Sequence, residues 1–506
     1  MYTTNSFHGK MILLATILAS GMAFLDGTVV NIAIPTIQAK LQASFDQMQW
    51  VINSYMLMLA ALILVSGSLG DRFGRKRIFS YGIGFFVFSS FLCSIAQSIE
   101  QLIFFRAVQG IGAAMMIPGS LSIISASFAD HVRGKAIGLW SGLAGGVVAF
   151  GPFLGGWLVE TFSWPSIFYI NIPIGIIALL ITRKYVPESK NSEATRLDLA
   201  GTFTIFLSLL GICFAFIQAP EFGWRHPFIM LSLICGIISF VVFLVIEKKS
   251  KEPLVPMQLF ASPLVVGANL VTFFLYFALS GLIFFLILNL QQLQHFSPLV
   301  AGLSMLPSIL FITFLSGPAG GWSDKHGPRT QMIVGPLMVA IGMFLLSITG
   351  KHVNYFIDIL PGLVLFGLGM ALVIAPLTKS ALSVEQKFSG AASGVNNAVS
   401  RVAGLLAVAL LGTIVIFLFS AHLQTSLVNS TLTSSQQQEI LIQKNMLGAV
   451  AIPDNLSVDE KTIAQESVED AFLYSFRWAM GINAILALLS AVIAYVTIHT
   501  TAKKSS

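Results

Sequence analysis

Two charged residues lie inside long apolar stretches of this chain, where a charge is costly. Asp26 stands in the first apolar run and Arg106 in the fourth. Burial away from water favours the neutral form of a carboxyl, so Asp26 is suited to take up a proton on one side and release it on the other. A guanidinium keeps its proton in proteins, so Arg106 needs an acid, backbone carbonyls or a water-filled cavity. Gln109 lies one helical turn after Arg106 and could order the same network.

Each of these charges also has a purely structural interpretation. Asp26 could form a packing hydrogen bond with Thr28 or Asn31, and Arg106 could bind carbonyls and fix its helix. We favour proton transfer at Asp26. It is the only acid deep inside an apolar run, and an idle carboxyl there costs about 2.5–3.5 kcal/mol on insertion scales.

A second polar group surrounds Arg401, the one charge inside the thirteenth apolar run. Asn396 and Asn397 lie about one helical turn away, and the three residues could line a polar cavity that contacts an anionic or hydrogen-bonding substrate. The alternative is an Arg401 that bonds only to backbone carbonyls. Aromatic side chains offer the broad apolar wall that a promiscuous site requires, although any single one more commonly packs in a core or faces lipid. The further candidates for substrate contact are Asn31, Tyr55, Trp140, Asn269, Tyr276 and Phe277.

The composition of the chain indicates a membrane protein. Of 506 residues, 56% are hydrophobic and 10% are charged, whereas soluble domains carry about 25% charged residues. The net charge of +6 comes from short basic clusters between apolar runs, so nucleic acid is not an expected partner. The sequence contains no phosphate loop and no metal-ligand cluster, and GIGAAM (110–115) lacks the strand–helix context of a dinucleotide loop. We therefore expect no enzyme activity, no metal and no cofactor, with an ion gradient as the energy source.

Fourteen apolar runs are long enough to cross a bilayer as helices, which need about 20 residues. They cover residues 11–34, 49–69, 78–97, 102–127, 136–158, 166–182, 199–219, 227–246, 264–288, 298–321, 331–349, 356–377, 393–420 and 477–498. Twenty basic residues fall on the side of the two termini and six on the other side. The sequence therefore predicts that both termini face the cytoplasm. The first run shows no convincing cleavage site, so we expect it to be a retained span.

A weak internal repeat divides the chain. Gly67, Asp71 and Gly74 recur with the same spacing at Gly320, Asp324 and Gly327. The repeat predicts an all-α membrane protein of two parallel six-helix halves with two helices between them. The predicted units are residues 1–182, a linker 183–262 that contains the seventh and eighth spans, and residues 263–506 with an external loop at 421–471.

Six short motifs are spread along the chain. Three are GSLGDRFGRKRI (67–78), LIFFRAVQGIGAA (102–114) and GPFLGG (151–156), and three are LDGTVVNIAIP (25–35), FYINIPIG (168–175) and GAASGVNNAVSRVAG (390–404). With these motifs the sequence resembles the major facilitator superfamily, and within it the fourteen-helix drug:proton antiporters. The first three are similar, in that order, to the signature loop, the second motif and the antiporter motif of the superfamily, and the last three resemble motifs of the fourteen-helix subfamily. The matches follow the family's order along the whole chain.

The resemblance implies roles for several residues. Asp26, Arg106 and Gln109 would couple protons to transport. The signature loop would act as a conformational latch, in which Asp71 caps a helix of the other half. The latch residues would be Gly67, Asp71, Gly74, Arg75, Arg133 and Asp324. The antiporter motif would supply a kinked, smooth helix that slides between states, through Gly151, Pro152, Gly155 and Gly156.

The sequence also departs from the family pattern. Val147 stands where the antiporter motif usually has a further glycine. Relatives that export divalent cationic drugs tend to carry extra acids in later helices, and the tenth and thirteenth spans here have none. Recognition of dicationic drugs is therefore not expected.

The function predicted is proton-coupled efflux of small amphipathic molecules or drugs across the bacterial inner membrane by alternating access. Protonation of Asp26 from outside would release substrate, and deprotonation inside would admit the next molecule. The nearest alternative is a dedicated exporter of one compound, such as a siderophore, amino acid, lipid-like molecule or antibiotic. A membrane sensor or scaffold would have no use for a buried Asp26, and the charge rings of a channel are not found in the sequence. A periplasmic adaptor protein is a further candidate partner, although no residue in the sequence indicates a contact with one.

Overall fold

The chain folds into long helices. A computed structural model describes residues 2–190, 197–250, 253–384 and 388–498. Within these ranges there is no β-strand, and Tyr2 and Phe128 form an isolated bridge. The α-helices are α1 Phe7–Leu41, α2 Phe45–Phe73, α3 Arg75–Ser94, α4 Ile99–Ser127, α5 Asp130–Thr161, α6 Ser166–Tyr169, α7 Asn171–Tyr185, α8 Leu199–Phe222, α9 Pro227–Lys249, α10 Pro263–Leu288, α11 Pro298–His326, α12 Arg329–Ser347, α13 Leu360–Ala381, α14 Ser389–Val428, α15 Ser434–Ile442 and α16 Val458–Thr497.

These helices have the length and composition of membrane spans. Thirteen segments of the described chain are long and apolar enough to cross a bilayer. α5 is a fourteenth long helix, of 32 residues, at the position of the fifth predicted span. α6 and α7 together form one of the thirteen segments, and π-helical turns extend α10 to Leu293 and begin α13 at Tyr355. The predicted all-α class is confirmed.

The helices form two groups that meet along a seam. α1 to α7 pack among themselves, as do α10 to α16, and the groups meet where α2 contacts α14 and α5 contacts α11. α8 packs beside this seam, against both α2 and α14, and α9 packs against α8. The division at residues 182 and 262 stays a prediction. α7 continues past residue 182 to Tyr185, and residues 191–196 and 251–252 of the linker lie outside the described chain.

Where α5 meets α11, the two groups pack tightly at one end only. We call the end of the molecule near residues 2 and 498 the terminal face, and the other end the opposite face. Near the opposite face a Cβ added to Gly156 of α5 would come within 2.7 Å of Leu299 Cα on α11, and one on Gly302 of α11 would collide with the Pro152 carbonyl. Towards the terminal face, a Cβ on Gly142 of α5 or Gly317 of α11 would meet no described atom within 4 Å. The α5–α11 part of the seam is therefore closed at the opposite face and open at the terminal face.

Much of the predicted loop 421–471 is helical. α14 and α16 each run for 40 residues and extend beyond the apolar runs into this segment. Residues 434–449, here called the cap, comprise α15 and a 3-10 helix, and bury Ile440 and Leu447 completely. Gln38 of α1 donates to the Met446 carbonyl of the cap at 3.4 Å and accepts from Gln292 beyond α10 at 2.9 Å. The cap thus covers the closed end of the seam.

Candidate functional site

Asp26 lies at the centre of a buried charge network. Arg106 Nη1 forms an ion pair with Asp26 Oδ2. Gln109 Nε2 donates to Asp26 Oδ1 at 2.9 Å, and Asn171 Nδ2 donates to the same oxygen at 3.1 Å. All four side chains are at most 1% exposed. Three donors directed at one carboxyl group match its ionised form, which can only accept hydrogen bonds.

Arg106 is held by contacts beyond the carboxylate. Its Nε donates to the Val51 carbonyl of α2 at 3.2 Å, and its Nη1 also donates to Gln109 Oε1 at 2.6 Å. The guanidinium carbon lies 4.3 Å from the centre of the Tyr55 ring and 5.8 Å from that of Phe168. A guanidinium stacks favourably on an aromatic face, more so where water is excluded. The cation therefore has a fixed position and orientation.

Close helix packing brings the network together. In α4, Gly110 lies directly against the Tyr55 carbonyl of α2, and a Cβ on Gly112 would come within 2.7 Å of Phe86 N on α3. These two glycines let the backbone of α4 approach both neighbours, which places Arg106 and Gln109 in the interior. The α6–α7 break at Ile170 places Asn171 at the first position of α7, directed inward.

Asp26 does not form the packing hydrogen bond with Thr28 or Asn31 that was the structural alternative. Thr28 Oγ1 donates to the Leu25 carbonyl at 2.8 Å and Asn31 Nδ2 to the Gly27 carbonyl at 2.8 Å, so both bond to their own helix. Asn171 was missed by the sequence reasoning. The signal was present, because it is the one amide in the FYINIPIG stretch, but nothing in the sequence pairs it with Asp26.

A second polar cluster lies on the other helix group. Asn396 Nδ2 of α14 donates to Thr272 Oγ1 at 2.8 Å and to Asn269 Oδ1 at 3.2 Å, both on α10. Asn397 bonds to the Ser393 carbonyl of its own helix at 2.9 Å. Arg401 crosses the seam, with its guanidinium carbon 5.4 Å from the centre of the Phe24 ring on α1.

The aromatic candidates occupy different places. Tyr55 is 1% exposed, stacks on Arg106 and donates to the Ala23 carbonyl at 3.1 Å, so it belongs to the charge network and not to an open pocket. Phe277 lies in the apolar core and is likewise not open. Trp140 is buried and donates to Ser20 Oγ at 3.2 Å. Tyr276 of α10 is half-buried.

The signature loop lies at the terminal face and is held within its own half. Asp71 forms an ion pair with Arg75 at 2.8 Å. Gly74 has φ +111°, and its Cβ would come within 2.8 Å of the Glu188 carboxyl, so any larger residue would meet both backbone strain and a clash. Glu188, another residue that the sequence reasoning missed, caps α3 by accepting from Lys76 N at 3.1 Å.

The remaining latch candidates are spread over the terminal face. Gly67 lies beside Pro118 of α4, and Arg133 is half-buried near the start of α5. Asp324 pairs with Lys379 in the second group of helices. The described contacts of Asp71 therefore stabilise the turn between α2 and α3, and its predicted role as a cap on the other half stays a prediction.

The antiporter motif forms the closed part of the seam. Gly151 lies against Thr28 and Gly155 against Val29, both on α1, while Gly156 and Pro152 contact α11 as described above. The motif therefore lets α5 pack against one helix of its own half and one of the other.

No group of three or more His, Cys, Asp and Glu side chains placed to bind a metal ion occurs in the described ranges.

Comparison with known proteins agrees with this architecture. The sequence model of the Major Facilitator Superfamily matches residues 16–218 and 199–408. The chain belongs to the Major Facilitator Superfamily. It is a multi-pass membrane transporter for small molecules, as the resemblance of its motifs implied.

Individual relatives are multidrug and antibiotic resistance proteins. The chain is 33% identical to the multidrug resistance protein Stp of Mycobacterium tuberculosis over 82% of this chain and 77% of that one. It is 36% identical to the puromycin resistance protein pur8 of Streptomyces alboniger over 80% and 81%. Among solved structures, a bacterial homologue of the human lysosomal transporter Spinster, crystallised inward-facing and occupied, matches 97% of both chains with a TM-score of 0.64 at 18% identity.

Proposed function

We propose that this transporter exports small amphipathic organic molecules, including drugs, across the bacterial cytoplasmic membrane in exchange for protons. The excess of basic residues on the side of the termini supports a cytoplasmic location for the terminal face. The open seam would then admit substrate from the cytoplasm.

The network around Asp26 carries this proposal. Three donors stabilise the ionised carboxylate, and Arg106 depends on that charge for its ion pair. A proton on Asp26 would leave the buried Arg106 without its counter-charge, which costs several kcal/mol unless the helices rearrange. The network therefore has two states, one with Asp26 ionised and paired to Arg106 and one with Asp26 protonated and the ion pair weakened.

The cycle follows from these two states. With Asp26 ionised, the ion pair ties α1 to α4, the seam is open at the terminal face, and substrate enters. The loaded protein then opens to the opposite face, where a proton reaches Asp26, weakens the ion pair and releases substrate outward. The protonated protein returns to the first packing of the halves, and loss of the proton to the cytoplasm restores the ion pair. Asn171 Oδ1 is buried and has no partner among the described residues. Rotation of this amide would offer an acceptor to a protonated Asp26.

A dedicated exporter of one compound is the second candidate. Its support is that relatives such as the puromycin resistance protein are named for a single antibiotic. The fold and the proton step would be the same, and only the breadth of substrates would differ.

An efflux assay tests the proposal. Wild type and Asp26→Asn would be expressed at matched membrane levels in a host without its own pumps, and efflux of anionic, neutral and cationic dyes followed with and without an uncoupler. We expect the uncoupler to stop wild-type efflux and Asp26→Asn to abolish it. Efflux that survives both treatments would contradict the proposal. A broad profile of exported dyes would favour drug efflux, and a single exported compound the dedicated exporter.

A further inference from the structure

Within the described part of the chain, Arg401 is a cation without a counter-charge at the seam. Among the described residues it forms no hydrogen bond and no ion pair, and its Nε is fully buried without a partner. Arg401 therefore does not bond to backbone carbonyls of the described residues, which was the structural alternative. A guanidinium inside a membrane protein normally pairs with an acid or with carbonyls. The site around Arg401 lacks a partner that its chemistry requires.

Asp26 does not supply that partner. Asp26 lies two residues after Phe24, the residue on which Arg401 stacks, but Arg106 already neutralises its carboxylate. Asn396 and Gly404, on either side of Arg401 along α14, contact Thr272 and Ser280 of α10. Tyr276 lies midway between these two residues on the same face of α10, so the Arg401 turn lies between α1 and α10. The seam at this level therefore keeps one positive charge among the described residues.

The walls beside Arg401 suit an aromatic or apolar body. Phe24 presents a ring on one side and Tyr276 a half-buried ring on another. A Cβ added to Gly27, the neighbour of Asp26, would meet no described atom within 4 Å, so space remains beside α1. Asn396, just over one turn before Arg401, donates through its amide nitrogen to α10, and its amide oxygen accepts no hydrogen bond from the described residues.

We propose that Arg401 anchors a monoanionic oxygen group, a carboxylate or phenolate, carried by an aromatic or apolar substrate. The inference rests on the proposed export function and names the class of molecule exported. A guanidinium binds a carboxylate through paired hydrogen bonds, and the low local dielectric strengthens them. The same positive charge repels cations, so lipophilic cations are disfavoured at this site.

Placing the substrate on Arg401 separates it from the proton. Arg401 belongs to α14, whereas Asp26 belongs to α1 in the other half. Substrate and proton then do not compete for one carboxylate. Their coupling runs through the movement of the two halves, and substrate binding does not need an ionised Asp26.

Binding of matched ligands to the purified full-length protein in lipid nanodiscs tests this inference. The probes are 2-naphthoate, its methyl ester and 2-naphthylmethylammonium, which share one ring system and differ in charge. We expect wild type to bind naphthoate at least tenfold more tightly than the other two. Arg401→Gln should remove this preference, and Arg401→Lys should retain part of it. Arg401→Glu should favour the ammonium probe, a gain that misfolding cannot produce.

The matched control is Arg329→Gln. Arg329 also lies over an aromatic ring, with its guanidinium carbon 5.2 Å from the centre of the Tyr495 ring, but it lies at the terminal face outside the seam. Its loss should leave the preference for naphthoate unchanged.

The outcomes separate this inference from the export proposal. Equal binding of the three probes to wild type, or a preference that survives Arg401→Gln, overturns the role of Arg401 even where proton-driven efflux is intact. An Arg401-dependent preference for naphthoate in a protein that shows no proton exchange supports the anion site and contradicts the proposed antiport.

Discussion

At the residue scale, the carboxylate of Asp26 is surrounded by more donors than an ion pair needs. Gln109 and Asn171 add hydrogen bonds to the Arg106 contact, and all are buried. A hydrogen bond to a charged group contributes about 1.5–3 kcal/mol. Each amide therefore helps to hold the carboxylate in place against Arg106.

The first prediction concerns Asn171→Ala. Loss of this donor weakens the network that holds Asp26 against Arg106, so proton-coupled efflux should slow. We expect a fall of about tenfold, since a hydrogen bond to a charged group contributes about 1.5–3 kcal/mol and about 1.4 kcal/mol corresponds to a factor of ten. The measurement is the initial rate of efflux under a fixed pH gradient in vesicles.

Ser20→Ala is the control for this prediction. Ser20 is a buried polar residue of α1 that bonds to Ser120 and Trp140 but not to Asp26. Its substitution should leave the rate of efflux unchanged. An equal loss of efflux in both variants, or no loss in either, would mean that Asn171 does not act through the carboxylate.

Part of the site could be predicted from sequence because a charge in an apolar run is conspicuous. Asp26 and Arg106 stand out in this way, Gln109 was predicted from its position one turn after Arg106, and the structure brings the three together. Asn171 could not be assigned, because an amide at a helix end has many structural uses. Tyr55 was expected in an open pocket, but its ring is needed beside the Arg106 guanidinium. Contacts across helices such as these depend on tertiary packing.

At the element scale, α5 has two different glycine surfaces. Gly134, Gly138, Gly142 and Gly146 follow each other at every fourth position, and a Cβ on each would meet no described atom within 4 Å. The later glycines of the same helix are in close contact with α1 and α11. If the halves rock, the open glycine surface becomes the contact when the terminal face closes.

The second prediction is that Gly142→Leu blocks this closure. The added side chain fits the present state but would prevent close approach of α5 and α11 at the terminal face. We expect transport to fall at least tenfold while ligand binding is retained. Spin labels at residues 135 and 325, on a background without the native cysteines, should report one long distance whatever the pH.

Gly481→Leu supplies the control, since a Cβ there also meets no described atom within 4 Å but lies on α16, away from the contact of α5 with α11. It should transport normally and show two distance populations. Normal transport by Gly142→Leu would rule out closure through this surface.

The helices themselves were largely predictable, because apolar runs of about 20 residues admit few other structures in lipid. Their ends were not. The last span was predicted at 477–498, yet α16 begins at Val458 with a capping box at Ser457. Polar residues continue the helix into water, where hydropathy gives no signal, and local capping decides where it starts.

At the scale of the whole molecule, the cap and the closed part of the seam stabilise the conformation that is closed at the opposite face. Gln291 donates to the Ile32 carbonyl at 2.9 Å, and Gln38 links Gln292 to Met446. These contacts join α1 of one half to the end of α10 in the other. They are uncharged, so they can break and form again at a modest cost of about 1 kcal/mol each.

The third prediction is that the double variant Gln38→Ala with Gln292→Ala opens the opposite face more often. Loss of about 1–2 kcal/mol shifts the ratio of the two states by roughly five- to thirtyfold. The same pair of spin labels, at residues 135 and 325, should show the shorter distance in a larger fraction of molecules. Gln437→Ala, which removes a bond within the loop only, should not change that fraction. An unchanged fraction in the double variant would mean that the cap does not contribute to the balance.

Proton exchange in liposomes tests the central claim most directly. Wild type and Asp26→Asn would be reconstituted with a pH-sensitive dye inside, and an exported substrate would be added under a pH gradient. We predict substrate-dependent proton movement opposite to the substrate for wild type. For Asp26→Asn we predict no proton movement, with substrate binding retained. Proton exchange that persists in Asp26→Asn would contradict the role of this carboxyl, and substrate transport by wild type without any proton movement would contradict antiport itself.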